Sequence, residues 1–316
     1  MKVVASAGNQ EVAMVYVVDF SGRLVECVEA VQPPVPRSEK WVLMISTLYG
    51  CPVGCQMCDA GGHYRGKLSE EEMAAQIEFL IESRFPDGHV PSRQFKIQFA
   101  RMGEPALNPA VIDLLRNLPG RISAPGLMPS LSTIAPWGSD KFFEQLIEVK
   151  NEVYSGGNFQ FQFSLHTTDQ ALRDELIPVR KWDFSRMRDF GEQYYRPGDR
   201  KITLNFALAE DSPVEEEVLQ EFFDPDKFLF KITPLNPTYQ AEEWGLKSYL
   251  KGGNTADQNP LVERLENAGY DVILSIGELE ENRIGSNCGQ YVQRHLTSDG
   301  SLGSGYSYQV KEIPSR

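Results

Sequence analysis

Trp41-Val42-Leu43-Met44-Ile45-Ser46-Thr47-Leu48-Tyr49-Gly50-Cys51-Pro52-Val53-Gly54-Cys55-Gln56-Met57-Cys58 is the stretch on which the architecture turns. Its first half is apolar and predicts a strand over 41–47. Its second half is a compact loop holding Cys51, Cys55 and Cys58. Downstream, strands and helices alternate. Ser69 followed by Glu72 is a capping-box signature that opens a helix continuing over 73–85. Strands are predicted over 95–100, 131–134, 159–165, 202–208, 228–233 and 271–275. Helices are predicted over 109–117, 140–149, 184–195, 214–223 and 261–268. Repeated βα units imply a parallel sheet, as a partly closed barrel or an open doubly wound sheet. In both, function gathers at the carboxyl ends of strands. The cysteine loop, Gly103-Glu104-Pro105, Ser132, Ser164-Leu165-His166 and Pro234-Leu235-Asn236-Pro237 all fall there.

Upstream, residues 12–19 and 24–31 read as a hairpin with Gly22 in its turn, and Pro33, Pro34 and Pro36 form a short linker. The expected organisation is an N-terminal β extension over 1–40, a barrel over 41–277 and a C-terminal tail over 278–316 that carries Cys288.

Composition sets limits. The chain has 316 residues, 41% of them hydrophobic and 24% charged, enough for a full core and unlike a disordered or fibrous chain. No stretch of about 18 apolar residues predicts a membrane span. Residues 1–10 lack the apolar run of a secretion signal, so the cytoplasm is the expected compartment. With 31 Lys+Arg against 44 Asp+Glu, the net charge of -13 argues against a broad nucleic-acid-binding surface, although a local basic patch is compatible with it.

The chain has five cysteines, three of them in the one loop. Clustered cysteines in a reducing compartment point to metal or catalysis. Three thiolates at this spacing fit three irons of a [4Fe-4S] cluster and leave the fourth open. A structural zinc would want four closed ligands from two spaced pairs, and no second pair occurs. A fully ligated electron-transfer cluster would need a fourth cysteine, Cys288 or Cys27.

The loop's spacing, after the first strand of the repeat, resembles the radical S-adenosylmethionine (SAM) superfamily. Further segments resemble its RlmN/Cfr adenine methyltransferase family. Ala100-Arg101-Met102-Gly103-Glu104-Pro105-Ala106-Leu107-Asn108 is similar to MGMGEPLLN and Leu131-Ser132-Thr133 to LST. Ser164-Leu165-His166 with the run from Leu172 to Val179 is similar to SLHAP…LRDxLVPI, Pro234-Leu235-Asn236-Pro237 to PxNP, and Asn287-Cys288-Gly289-Gln290 to ACGQ. The ordered set spans roughly residues 12 to 295. The resemblance implies an α/β fold, a partial (β/α)6 TIM-like barrel of the radical SAM type with a small N-terminal β-hairpin extension. It implies a [4Fe-4S] cluster on Cys51, Cys55 and Cys58. It implies S-adenosylmethionine held by Gly103, Glu104, Ser132, Ser164, His166 and Asn236, and an electron donor such as flavodoxin or ferredoxin. In the family, SAM is cleaved to a 5'-deoxyadenosyl radical. The cysteine matching Cys288 is methylated, and its methylene radical adds to adenine. Glu26 matches a proposed proton acceptor.

Two departures stand out. Met44 occupies the position of the family's second catalytic cysteine, and methionine is neither acid, base nor thiolate. Neighbouring Glu26 and Cys27 are expected on opposite faces of a strand, so Cys27 does not replace it beside Glu26. The family's bacterial ribosomal members also carry an N-terminal helical RNA-binding domain, whereas the residues before the first strand here read as β. With the acidic charge, this leads us to expect a non-ribosomal substrate, a small molecule or nucleotide, over RNA adenine methylation. Cys288 would serve as methyl carrier or, alternatively, as hydrogen-atom donor or substrate anchor. A structural or redox metal protein is the non-enzymatic alternative.

Overall fold

The computed structural model describes residues 1–250, 259–287, 291–292 and 305–313. Three antiparallel strands come first: β1 (Lys2–Asn9), β2 (Ala13–Phe20) and β3 (Arg23–Ala30). The repeat follows as β4 (Lys40–Ile45), α1 (Glu70–Glu82), β5 (Gln94–Phe99), α2 (Ala110–Arg121), β6 (Leu127–Thr133), α3 (Asp140–Val153) and β7 (Gln160–Ser164). Two helices, α4 (Gln170–Leu176) and α5 (Phe184–Tyr194), lead to β8 (Ile202–Leu208). Then come α6 (Glu216–Phe222), β9 (Phe228–Pro234), α7 (Tyr239–Glu243), α8 (Pro260–Asn267), β10 (Val272–Leu274), α9 (Leu279–Ile284) and β11 (Lys311–Glu312).

All these strands join one sheet, ordered β10-β9-β8-β7-β6-β5-β4-β3-β2-β1-β11. From β4 to β10 every pairing is parallel. The expected hairpin is therefore the inner part of a three-stranded antiparallel wing that continues the same sheet through β3 and β4. The repeat is as expected. The Ser69–Glu72 capping box closes reciprocally, a contribution of about 1 kcal/mol to the start of α1.

Alternation along the parallel strands sorts side chains by face. Trp41, Leu43, Phe95, Ile97, Phe99, Leu131, Phe161, Phe163, Leu204, Phe206 and Phe230 belong to the main core, which includes residues of the helices. The register places Lys96, Gln98, Ser130, Ser132, Gln162, Asn205 and Lys231 on the opposite face. A parallel sheet covered by apolar layers on both sides would be hydrophobic on both. This sheet has one polar face, suited to a polar ligand. Cys27 lies in the main core while Glu26 and Met44 face the other way, as strand alternation requires. Met44 packs with Val28, Ile284, Tyr291 and Tyr306 in a second apolar cluster between the antiparallel wing and the C-terminal segment.

Candidate functional site

The cysteine loop leaves the end of β4 and is tied to its neighbours along its length. The backbone amides of Thr47 and Leu48 donate to the Met102 carbonyl, and Asn108 Nδ2 donates to the Thr47 and Leu68 carbonyls at 2.8 Å each. Gly50 has φ +74°, and a Cβ there would stand 2.7 Å from the Gly62 and His63 carbonyl oxygens, so only glycine fits. The Gln56 amide donates to Leu176 at the end of α4. Thr238 Oγ1 donates to Met57 O at 3.1 Å.

Cys51, Cys55 and Cys58 form no disulfide among the described residues. Gly54, Cys55, Cys58, Gly61, Gly62 and Gln240 line a cavity of about 220 Å³. Burial raises the Cys51 thiol to about 11. Burial, and then the neighbouring Cys58 and Cys51, push the Cys55 thiol well above the ordinary thiol range. Cys55 and Cys58 in this glycine-walled cavity, with Cys51 on the same loop, form a donor set that a metal would convert to thiolates, and these residues fit an iron–sulfur cluster.

Glu104 follows β5 and is buried beside this loop. Its Oε1 accepts from Thr133 Oγ1 and from the Ala106 amide at 3.0 Å, and its Oε2 accepts from the Ile134 amide at 3.0 Å. No cation is among these partners, and burial raises the carboxyl to about 7. It is a ready acceptor for an ammonium group. Gly103 before it has φ +100°, and a Cβ would lie 2.5 Å from Leu48 Cβ and Cγ. The chain therefore brings the β4 loop and Glu104 together only with glycine at 103.

The other predicted residues lie at strand ends. Ser132 Oγ accepts from Gln162 Nε2. Ser164 ends β7, in register with Asn205. His166 is buried at φ +71°, and its Nδ1 accepts from the Ala207 amide at 3.0 Å. Burial, and secondarily the Arg173 charge, lower it to about 4, so it is neutral at pH 7. Asn236 follows β9 and borders a small cleft with Thr238, Glu281, Gly285 and Asn287.

Glu26 is fully buried and does not line the cysteine cavity. Its Oε2 accepts from Arg101 Nε at 3.1 Å and pairs with Arg101 Nη2 at 2.5 Å, and its Oε1 accepts from the Val292 amide at 2.9 Å. Arg101 also donates from Nη1 to the Ser286 carbonyl at 2.8 Å and from Nη2 to Gly285 at 3.0 Å. One ion pair thus holds the chain at 285–286 and again at 292. Cys288 lies in sequence between these anchors but outside the described residues. Arg101 stands where MGMGEPLLN has glycine.

Two contributors were not singled out from sequence. Asp59, next to Cys58, accepts from the Tyr239 and Gln240 amides and from Tyr306 Oη at 2.9 Å, joining the cysteine loop to α7 and the C-terminal segment. Arg173 on α4 is fully buried and donates to the Trp182 and Ile134 carbonyls. An Asp after the last cysteine and an Arg in a short amphipathic run are weak signals on their own. Beyond His63, a second cavity of about 350 Å³ is lined by Arg23, Tyr49, Arg65 and Val292. Arg23 stacks on Tyr49 at 4.1 Å and pairs with Glu72.

A parallel α/β sheet thus carries three clustered cysteines after one strand end and a buried carboxylate after the next. No family model matches the chain. It is 27% identical over 288 residues to the "Probable dual-specificity RNA methyltransferase RlmN" of Cutibacterium acnes, covering 85% of this chain and 66% of that protein. It is 26% identical over 286 residues to the "Dual-specificity RNA methyltransferase RlmN" of a Marinomonas species, covering 88% and 72%. A Synechococcus relative of the same probable function is 26% identical over 218 residues and is covered over 59% of its length. The chain thus spans about 60 to 72% of these relatives. A radical SAM methyltransferase from Sphaerobacter thermophilus shares the fold, with a TM-score of 0.67 at 20% identity over 92% of this chain and 81% of that one. In sequence the chain is thus similar to RlmN methyltransferases, and in fold to a radical SAM methyltransferase. Among the described residues no helix is long and apolar enough to cross a membrane.

Proposed function

We propose that this chain is a radical SAM methyltransferase. The observation that carries this is the three-cysteine loop after β4 held beside the buried Glu104 after β5, whose hydrogen-bond partners include no cation. Cys51, Cys55 and Cys58 would hold the cluster, and Gly103 and Glu104 would receive the amino end of SAM. Ser132, Ser164, His166 and Asn236 would contact its ribose or carboxylate from the other strand ends. The polar sheet face would form the inside of a partial barrel around the nucleotide. When bound, the cluster supplies the electron that cleaves SAM to a 5'-deoxyadenosyl radical.

His166 contributes as a neutral hydrogen-bonding group, because its Nδ1 is already committed to Ala207. Cys288 is the proposed methyl carrier. Glu26, expected as a proton acceptor, is engaged with Arg101, and we read it as a group that positions the Cys288 segment through Val292. The cationic, aromatic cavity of Arg23, Tyr49 and Arg65 fits an anionic substrate with a planar ring. Nucleotides and RNA share that chemistry. The net charge favours the small ligand, and the relatives' names favour RNA.

The test is anaerobic reconstitution with iron and sulfide, then incubation with SAM and a reductant. The expected outcome is 5'-deoxyadenosine release and one added methyl on the Cys288 peptide by mass spectrometry. Absence of 5'-deoxyadenosine from a cluster-loaded chain refutes the radical class; release with unmodified Cys288 refutes the methyl carrier. Methyl transfer from labelled SAM to nucleotides, compared with total RNA, separates the substrates.

A further inference from the structure

The polar sheet face has a second concentration of charge, at the end opposite the thiols. Lys40 begins β4, Gln94 begins β5, and Lys96 lies two residues along on the same face as Gln94. Lys40, Gln94, Leu127, Met128, Asn158 and Arg200 line a cavity of about 490 Å³ at the amino ends of these strands. It is roughly 20 Å from the carboxyl ends, one six-residue strand away.

The charges there do not balance. Among the described acidic residues only Glu39 lines the cavity, and it pairs with Arg93 at 3.3 Å. Lys40 Nζ donates to neutral Gln32 Oε1 at 2.6 Å. Arg200 donates from Nε to the Gly157 carbonyl at 2.8 Å, and its two Nη groups have no partner among the described residues. Behind them Lys96 is 9% exposed and has no hydrogen-bond or ion-pair partner among the described residues. Its ammonium is lowered to about 7 by burial and then by Lys231, Lys40 and Arg200. Lys231, one of these neighbours, is also within electrostatic reach of Glu281. A buried ammonium with no anionic partner among the described residues is costly unless something neutralises it. In a chain of net charge -13, such a cluster marks a place where a ligand supplies the negative charge.

We propose that this base cavity binds a small phosphate-bearing ligand, held by Lys40 and the Nη groups of Arg200, with the charge of Lys96 buried behind them. Tetrahedral oxyanions match it because two ammonium groups and a guanidinium edge approach from β4, β5 and the start of β8. The site is separate from the proposed radical chemistry and stands whether or not that reading holds.

The experiment is thermal unfolding of the full-length chain, free of cluster, in pyrophosphate and in sodium chloride of equal ionic strength. The wild type is expected to gain about 3 °C or more at millimolar pyrophosphate. Lys96→Met keeps most of the side-chain volume and removes the charge. It is expected to unfold at a higher temperature than wild type in chloride and to lose the pyrophosphate gain. An equal gain in Lys96→Met and wild type overturns the proposal, as does no gain in wild type. Should Lys96→Met fail to fold, Lys40→Gln/Arg200→Gln at the rim takes its place with the same two outcomes for the gain. A short single-stranded RNA arm is included. A gain from RNA that exceeds pyrophosphate at equal phosphate concentration, and that vanishes in the same variant, overturns the small-ligand assignment.

Discussion

Glu104 and His166 show how burial sets chemistry one side chain at a time. Both sit at strand ends and are enclosed, and each is pushed toward its neutral form. For Glu104 the three donated hydrogen bonds offset part of that push but supply no charge, and this leaves a carboxyl suited to a cationic ligand. For His166 the consequence is a pH dependence with a definite sign. Its folded value of about 4 lies below the ordinary histidine value of roughly 6.5, so the unfolded chain takes up the proton first. The stability it contributes is complete above about pH 6.5 and is lost as pH falls toward 4. At pH 4.5 the loss is on the order of 2–3 kcal/mol. Asparagine tolerates a positive φ, so His166→Asn is the suitable variant. Urea unfolding at pH 7 and pH 4.5 should show the wild type losing roughly that much more than His166→Asn. Equal losses in the two proteins would show that the imidazole does not stay neutral in the folded chain.

At the scale of elements, the Glu26–Arg101 pair joins β3, the end of β5 and the segment after α9. Both partners are buried, so removing one leaves the other charge without compensation, at a cost of about 3–5 kcal/mol. Arg101→Met is expected to cost that much. Glu26→Gln/Arg101→Met is expected to cost less than Arg101→Met alone, because the glutamine still accepts from Val292 and no bare carboxylate is buried. A double-mutant cycle by chemical denaturation measures this, and simple additivity would dissolve the pair as a unit. This contact was not legible in the sequence, because residues 75 positions apart, and then 185 apart, meet only after the sheet has formed. The strands of the repeat were legible, since Trp41, Phe95, Phe161 and Phe230 mark a strong apolar period. By contrast β1 was not, because Ala5, Ser6, Ala7 and Gly8 carry little strand preference. Neither α7 nor α9 has enough turns to show a period. Met44 also became intelligible only in three dimensions: with Tyr291 and Tyr306 against it, an apolar side chain suits that place.

For the whole molecule, the question is whether the cluster is part of the fold or a guest in it. In small zinc domains the metal is the core, and its removal unfolds the chain. Here the main core runs beneath β3 to β9 and contains none of the three loop cysteines. The cysteine loop itself is fastened by protein contacts: Asn108 to Thr47 and Leu68, Thr238 to Met57, and Asp59 to Tyr239, Gln240 and Tyr306. The antiparallel wing continues the sheet past β4, so the strand that carries the loop is interior rather than an edge, with β3 and β5 on either side. Interior strands resist local opening better than edges. The cluster-free chain should therefore unfold in one cooperative calorimetric transition, and loading the cluster should raise its midpoint by only a few degrees, about the effect of a ligand contributing 1–3 kcal/mol. Cys55→Ala, which prevents loading, should unfold at nearly the midpoint of the cluster-free wild type. A cluster-free chain with no cooperative transition, or one whose antiparallel wing alone exchanges its amide hydrogens at the unfolded rate, would place the cluster among the determinants of the fold.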